Sequence, residues 1–280
     1  MHKIIPYVTV FLFGSIVGSF LNVCIYRIPR NLSIIIPSSR CPSCDSPVKP
    51  WDNIPILSYI FLGGRCRACK ARISFRYPFV ELLNAVLYIM VLWRFGSGWH
   101  TLIYFVFCSA LIVIAFIDLD FQIIPDVITL PGIIIGLISA SFLLPDPFME
   151  VSSKHYAVSS KESTYCLLPT AYYQIVGFKN SIIGLLLGGG LFYAVAVLSR
   201  GGMGGGDIKM MAMVGSLMGW KSVLLTTFLG SLVGAVFGTF LMLFKGKGRK
   251  TKIPFGPFLA LGSVITLFYG QEILYWYLYR

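Results

Sequence analysis

The stretch "TLIYFVFCSALIVIAFID", Thr101–Asp118, decides the class of fold. Seventeen uncharged residues are followed by a single aspartate. A bilayer-crossing helix needs about 20 predominantly apolar residues. An acid at membrane depth is costly, so it defaults to a functional hypothesis. The stretch therefore predicts a transmembrane helix whose last residue, Asp118, carries chemistry.

The composition extends this prediction to the whole chain. Of 280 residues, 56% are hydrophobic and only 12% are charged, whereas soluble globular proteins carry about 25% charged residues. The mean hydropathy is +0.79. The net charge of +12 does not indicate nucleic acid as a partner, because the basic residues cluster at the ends of apolar segments and form no basic stripe with spaced aromatics. The partner that this composition predicts is the lipid bilayer.

Eight apolar segments are long enough, or nearly so, to cross a bilayer. They cover residues 4–27, 77–94, 100–118, 127–145, 180–199, 208–220, 222–244 and 254–277. We therefore predict an all-α polytopic membrane protein with about eight transmembrane helices. Its domains would be a first transmembrane helix at 1–27, a small region at 28–76 and a transmembrane domain at 77–280.

Lysine and arginine predict the orientation of these segments. Nine basic residues lie between positions 27 and 76, and five more lie between 245 and 252. Cytosolic loops are enriched in basic residues, so both regions should be cytosolic, which eight crossings allow. Both termini and a long loop at 146–179 would then lie outside. The same count places Asp118 and a second acid, Asp207, near the cytosolic face.

The 28–76 region carries two CxxC pairs, "CPSC" at 41–44 and "CRAC" at 66–69, separated by 21 residues. The layout is similar to a zinc ribbon, in which Cys41, Cys44, Cys66 and Cys69 would supply four thiolates to one tetrahedral Zn²⁺. Disulfides and unrelated thiols are the alternatives, and disulfides are rare in the cytosol. A region of about 50 residues builds little core by itself, so a metal would stabilise it. We therefore expect a structural zinc site.

The second acid follows a glycine run in "GGMGGGDIKMM", Gly201–Met211. Glycine permits close backbone approach, which would let Asp207 reach a partner helix and a substrate backbone. Two carboxylates at a partly dry site cannot both ionise easily, so they share one proton. The ionised one can take a proton from an attacking water, and the protonated one can hydrogen-bond the peptide carbonyl. Asp118 and Asp207 are thus candidate catalytic residues of an aspartyl protease.

Two further acids lie close to Asp118 in the sequence. Asp120 is two residues on, about 200° around an α-helix, and should face away. Asp126 follows Pro125, which disfavours helix just before it, so Asp126 is expected to be the N-cap of the next helix. Asp118 therefore remains the expected partner of Asp207.

The same residues are compatible with two other functions. An ion or proton transporter also uses intramembrane acids, although it predicts an internal repeat between two halves that the sequence does not show. A zinc-stapled membrane adaptor without catalysis is the second alternative.

Taken in order, the motifs resemble those of the type IV prepilin peptidases, which are bifunctional prepilin leader peptidases/N-methyltransferases. The matching stretches are "GSFLNVCIYRIPR" (18–30), the two CxxC pairs, "NIPILSYIFLGGRCRACKARISFRYPFVELL" (53–83), "IDLDFQIIPDVITLP" (117–131), "GGGDIKM" (204–210) and "IPFGPFLALG" (253–262). The GxGD motif alone is moderately specific, and the ordered set is highly specific.

The resemblance implies an aspartyl endopeptidase of the bacterial inner membrane with its active site at the cytosolic face. Its substrates would be type IV prepilins or the pseudopilins of type II secretion, cleaved after a glycine that follows a short basic leader. It would then methylate the new N-terminal residue with S-adenosylmethionine as methyl donor. The family's catalytic acids correspond to Asp118 and Asp207, and its metal-binding residues correspond to the four cysteines. No S-adenosylmethionine-binding residue can be named from the sequence.

Overall fold

The protein is described here by a computed structural model that covers residues 4–36, 38–142, 144, 170–199, 202–245 and 254–278. Regular secondary structure in these ranges is helical, apart from two isolated β-bridges. The α-helices are α1 (Ile5–Arg27), α2 (Leu57–Phe61), α3 (Arg76–Phe95), α4 (Trp99–Phe121), α5 (Asp126–Phe142), α6 (Thr170–Leu198), α7 (Gly205–Lys245) and α8 (Gly256–Leu278). Two 3₁₀-helices lie at Ile28–Arg30 and Pro50–Asn53. The predicted all-α class is confirmed.

Six of the described helices are long and apolar enough to cross a membrane, namely α1, α3, α4, α6, α7 and α8. Helix α5 is apolar but shorter, and it contains Pro131. Most of the predicted outside loop, 146–169, lies outside the described residues, and α6 already begins at Thr170. The count of eight crossings stays a prediction.

Helix α7 is 41 residues long, but it is not continuous. At Gly219 the backbone leaves the helical region, with φ 80° and ψ 176°. Glycine adopts such a positive φ at little cost, whereas other residues do not. A straight helix of this length would measure about 60 Å, twice the thickness of the hydrocarbon core. The break separates two apolar parts that correspond to the predicted segments 208–220 and 222–244.

The chain divides into two compact units, Met1–Ile117 and Asp118–Arg280. In the first unit α1 packs closely against α3. A Cβ atom on Gly14 would lie 2.8 Å from the Cα of Ala85, and the Nδ2 of Asn84 donates a 2.7 Å hydrogen bond to the carbonyl of Gly14. Hydrocarbon offers no water to polar groups, so such internal partners stabilise the helix pair.

In the second unit α7 packs against α5, α6 and α8. Gly184 and Gly188 of α6 lie against the backbone of α7, at Gly215 and Met211. Beyond the break in α7, a Cβ atom on Gly230 would lie 3.1 Å from the Cδ2 of Leu259 in α8. Small residues at these positions let helix backbones approach closely, which drives helix association in lipid. This packing holds α7 against α6 and α8.

Candidate functional site

The four cysteines predicted to bind metal converge. The Sγ atoms of Cys41, Cys44, Cys66 and Cys69 all lie within 4.8 Å of one another, and those of Cys41 and Cys69 are 3.8 Å apart. Tetrahedral Zn²⁺ with Zn–S bonds of about 2.3 Å holds its sulfurs about 3.8 Å apart. The cluster therefore fits a zinc-ribbon-like region.

The two CxxC turns are built alike. In each, the N–H of the first cysteine donates to the carbonyl five residues on, at 3.0 and 2.9 Å. The N–H of the residue four positions on, Asp45 or Lys70, donates back to the carbonyl of that cysteine, at 2.9 and 3.0 Å. Both of these residues have a left-handed φ, of 54° and 59°. Each turn thus folds through its own backbone hydrogen bonds.

Sequence reasoning missed this duplication, although the sequence contains a signal for it. The segments "RCPSCDSPV" (40–48) and "RCRACKARI" (65–73) align at a fixed offset. Each is closed by a β-bridge at its ends, Arg40 with Pro47 and Arg65 with Arg72. Comparing the chain with itself would have found the repeat.

At two of the four cysteines the environment favours the thiolate that a metal requires. Backbone N–H groups of Cys69 and Ala68 lower the pKa of the Cys66 thiol to about 6. A hydrogen bond with the Ser46 hydroxyl, 2.9 Å away, lowers the pKa of the Cys44 thiol. Each CxxC turn thus contains one cysteine whose thiolate is favoured by hydrogen bonds. At Cys69 a backbone hydrogen bond acts in the same direction, but the neighbouring thiols and burial outweigh it and raise the pKa of this thiol to about 11.

Glu81, one turn into α3, is buried and has a structural partner in the first unit. Its Oε2 accepts a 2.7 Å hydrogen bond from the N–H of Ile56. Ile56 has a φ of 61°, which is a genuine outlier for a β-branched residue. The carboxylate of Glu81 thus holds the connection between Pro50–Asn53 and α2 in a strained conformation.

The two predicted catalytic acids come from two helix ends. Asp118 lies in the last turn of α4, and Asp207 lies in the first turn of α7. Their exposed fractions are only 6% and 9%. They lie close enough for the charge of Asp118 to act on Asp207. The fold thus brings together two acids that are far apart in the sequence.

The position of each acid depends on a glycine. The Oδ2 of Asp118 accepts a 2.9 Å hydrogen bond from the N–H of Gly256, the first residue of α8. A Cβ atom on Gly206 would lie only 2.6 Å from the Cβ of Ile124, so this glycine lets the start of α7 pack against the connection that follows α4. Gly205, by contrast, has open space where a Cβ atom would lie. The close approach expected of the glycine run is therefore made by Gly206.

Asp120 and Asp126, the two acids near Asp118 in the sequence, have surroundings unlike those of the candidate catalytic pair. Asp120 is exposed, as its position around the helix predicts. The expectation that Asp126 is an N-cap is wrong by one residue, because the carbonyl of Pro125 accepts the first backbone hydrogen bonds of α5. The carboxylate of Asp126 instead accepts hydrogen bonds from the Nζ of Lys209, at 2.7 Å to each oxygen. Sequence reasoning missed Lys209, whose partner lies 83 residues away.

The remaining cysteines are not part of the cluster. Cys24 and Cys108 are free and buried, which suits small apolar packing residues in membrane helices. Cys166 lies outside the described residues.

Comparison with known proteins covers both units. Residues 12–95 match the bacterial peptidase A24 N-terminal domain, and residues 105–239 match the type IV leader peptidase family. The chain is 36% identical to a prepilin leader peptidase/N-methyltransferase of Aeromonas salmonicida, over 96% of this chain and 92% of that protein. It is 34% identical to the proteins of the same name from Pseudomonas aeruginosa (95% and 91% covered) and Bacillus subtilis (96% and 96% covered). No solved structure matches the chain.

Proposed function

We propose, from the premise that the chain belongs to the type IV leader peptidase family, that it is a bifunctional membrane enzyme. It removes the leader peptide of a prepilin and methylates the N-terminus that cleavage exposes. The observation that carries the first activity is the buried pair Asp118 and Asp207, which two helix ends hold within electrostatic range. Relatives with this combined name align with nearly the full length of the chain.

In the proposed cleavage the two carboxylates share one proton. The ionised carboxylate takes a proton from a water molecule, whose oxygen attacks the scissile peptide carbonyl. The protonated carboxylate hydrogen-bonds the carbonyl oxygen as negative charge develops on it. A proton then passes to the leaving nitrogen and the C–N bond breaks. Both acids are needed because each step uses one proton donor and one proton acceptor.

The test of cleavage is a purified-enzyme assay in lipid nanodiscs with a full-length prepilin as substrate. Wild-type protein should release the leader, and mass spectrometry should place the cut after a glycine. Asp118→Asn and Asp207→Asn should each abolish release. A pseudopilin of type II secretion, used in parallel, identifies which substrate class the enzyme prefers. Intact prepilin after long incubation with folded wild-type protein would refute the peptidase.

The proposed methylation uses S-adenosylmethionine, which supplies the methyl group when bound. No residue of this chain is assigned to its binding. We propose that methyl transfer does not use the acid pair, so Asp207→Asn should still methylate a pilin that has been cleaved beforehand. Transfer of labelled methyl groups to that pilin measures this. A folded Asp207→Asn protein that has lost both activities would show that the two reactions share one site.

We propose that the four cysteines hold one Zn²⁺ ion. Four thiolates that converge from two hydrogen-bonded turns suit a closed tetrahedral site, in which zinc stabilises the fold and offers no open position to a substrate. Elemental analysis of purified protein should give about one zinc per chain.

We further propose that the protein lies in the bacterial inner membrane with the acid pair at the cytosolic face. The support is the basic character of residues 27–76 and 245–252. Reporter fusions at residues 160 and 248 should give opposite locations, outside and cytosolic. Finding both on one side of the membrane would refute this orientation.

A further inference from the structure

Among the described residues, the start of α8 supplies the one hydrogen-bond donor to the carboxylate of Asp118. The first N–H groups of a helix have no partner within the helix. At this end, the N–H groups of Phe258 and Leu259 donate to the carbonyl of Phe255, at 3.1 and 3.2 Å. Pro257 has no N–H. The N–H of Gly256 has no partner within α8 and instead donates to the Oδ2 of Asp118 at 2.9 Å.

Gly256 also leaves the space that this contact needs. A Cβ atom there would lie 2.7 Å from the Oδ2 of Asp118 and 3.1 Å from its Cγ, and the shorter distance is one that real Cβ atoms essentially never show. The backbone of Gly256 is not in the positive-φ region. Glycine is therefore required here for room and not for backbone conformation. Any side chain at this position must displace the carboxylate or the start of α8.

We infer that Gly256 is a positioning residue for the peptidase reaction, because its N–H fixes one oxygen of Asp118 and its missing side chain lets α8 begin against that carboxylate. The inference rests on the proposed function. It adds a third chain segment, "PFGPF" at 254–258, to the two acid-bearing segments.

The role predicts a particular kinetic effect. A donor that belongs to a helix backbone is preorganised, so no reorganisation is needed during the reaction. Removing one preorganised donor from an oxyanion hole costs about 100-fold or more in kcat, and we expect a loss of the same order for a donor that fixes a catalytic carboxylate. The N–H of Gly256 is occupied by Asp118, so its loss should leave substrate binding and KM unchanged.

The experiment compares variants of the full-length protein in nanodiscs by steady-state cleavage of a prepilin. Gly256→Ala should lower kcat by about 100-fold with KM within about twofold of wild type. Gly262→Ala is the matched control, because its Cβ atom would lie 2.8 Å from the carbonyl of Thr226, so it disturbs α8 without touching Asp118. It should keep kcat within about threefold of wild type at a comparable loss of thermal stability. Asp118→Asn is measured in the same series.

A second variant removes the hydrogen bond without adding atoms. Glycolic acid incorporated at position 256 by nonsense suppression replaces the N–H by an ester oxygen and keeps the size of glycine. This variant should also lower kcat with KM unchanged, and it decides the matter if Gly256→Ala does not fold.

Two results would overturn the inference while the proposed function stands. One is wild-type kcat in the ester variant when Asp118→Asn is inactive. The other is an equal loss of kcat in Gly256→Ala and Gly262→Ala, which would show a general packing effect. Cleavage by Asp118→Asn would instead overturn the proposed role of Asp118, and the absence of cleavage by folded wild-type protein would overturn the proposed function itself.

Discussion

The cysteine cluster and the acid pair are assembled in opposite ways. The cysteines sit on two short turns that fold through their own backbone hydrogen bonds, and all four are at least partly exposed. The acids are buried and lie 89 positions apart in the chain, one in the last turn of α4 and the other in the first turn of α7. The start of α7 packs against the connection that follows α4, at Ile124. One site is built by local sequence and the other by the packing of membrane helices.

The two sites should therefore be sensitive to different substitutions. A local site depends on its ligands and turns, so changes elsewhere should leave it intact. A site built from helix ends depends on every contact that sets those ends, including glycines that carry no chemistry. Gly206 against Ile124 and Gly256 against Asp118 are two such contacts.

The largest effect should come from the acids themselves. Asp118→Asn and Asp207→Asn should each lower the single-turnover cleavage rate by at least about 1,000-fold, because the proton transfers have no substitute. Asp120→Asn is the matched control in the same segment, and it should stay within about threefold of wild type because Asp120 is exposed. Activity in Asp118→Asn together with an inactive Asp120→Asn would assign the pair differently.

The next effect concerns the metal. Replacing Cys41 and Cys44 together with serine should reduce bound zinc from about one per chain to nearly none, since metal binding and folding are coupled in such sites. Hydrogen exchange should then accelerate in residues 39–48 and 64–73, whose backbone bonds close the two turns. Cys24→Ala, at a buried cysteine outside the cluster, should keep its zinc. A full zinc load in the double variant would refute the four-cysteine site.

The contrast also explains what the sequence could predict. The spans follow from apolar composition, and the metal ligands follow from the spacing of CxxC, so both are visible without tertiary structure. Asp118 and Asp207 could be selected because an acid beside an apolar run is rare. The hydrogen bond from Gly256 to Asp118 could not be derived, because it joins residues 138 positions apart.

Two local errors have the same origin. Asp126 was expected to cap α5, but a cation from another helix, Lys209, binds its carboxylate, and the carbonyl of Pro125 begins the helix. The break at Gly219 was visible only as a boundary between two apolar segments, because the sequence does not show which glycine leaves the helical region. Tertiary partners decided both cases.

A smaller loss of activity is expected from substitution of Gly206, the glycine through which the start of α7 packs against Ile124. Gly206→Ala places a Cβ atom 2.6 Å from that of Ile124, so the start of α7 must shift and carry Asp207 with it. We expect a loss of about 1–3 kcal/mol in stability, the usual size of overpacking. A shift of about 1 Å at the acid should lower kcat by at least about tenfold. Gly205→Ala is the control, because nothing lies within 4 Å of its Cβ position. Equal kinetics in the two variants would show that Asp207 does not depend on this contact.

The smallest effect should come from the ion pair of Asp126 and Lys209. Its side chains are 53% and 41% exposed, although the Nζ lies 2.7 Å from the carboxylate. Exposed ion pairs contribute about 0.2–1 kcal/mol, and salt screens them. A double-mutant cycle with Asp126→Asn and Lys209→Met, measured by thermal unfolding in detergent, should therefore give a coupling energy of about 0.5 kcal/mol that shrinks in high salt.

The same variants distinguish an ion pair with Lys209 from a helix cap as the role of Asp126. A cap would make Asp126→Asn nearly neutral, since asparagine caps as well as aspartate, while Asp126→Ala would cost about 1 kcal/mol whether or not Lys209 is present. An ion pair instead makes Asp126→Asn and Asp126→Ala similar, and both should lose their effect in the Lys209→Met background. A coupling energy of zero, together with a loss of about 1 kcal/mol of stability in Asp126→Ala, would show that Asp126 acts as a helix cap. Cleavage should change little in any of these variants, because Gly206 still packs against Ile124 at the start of α7.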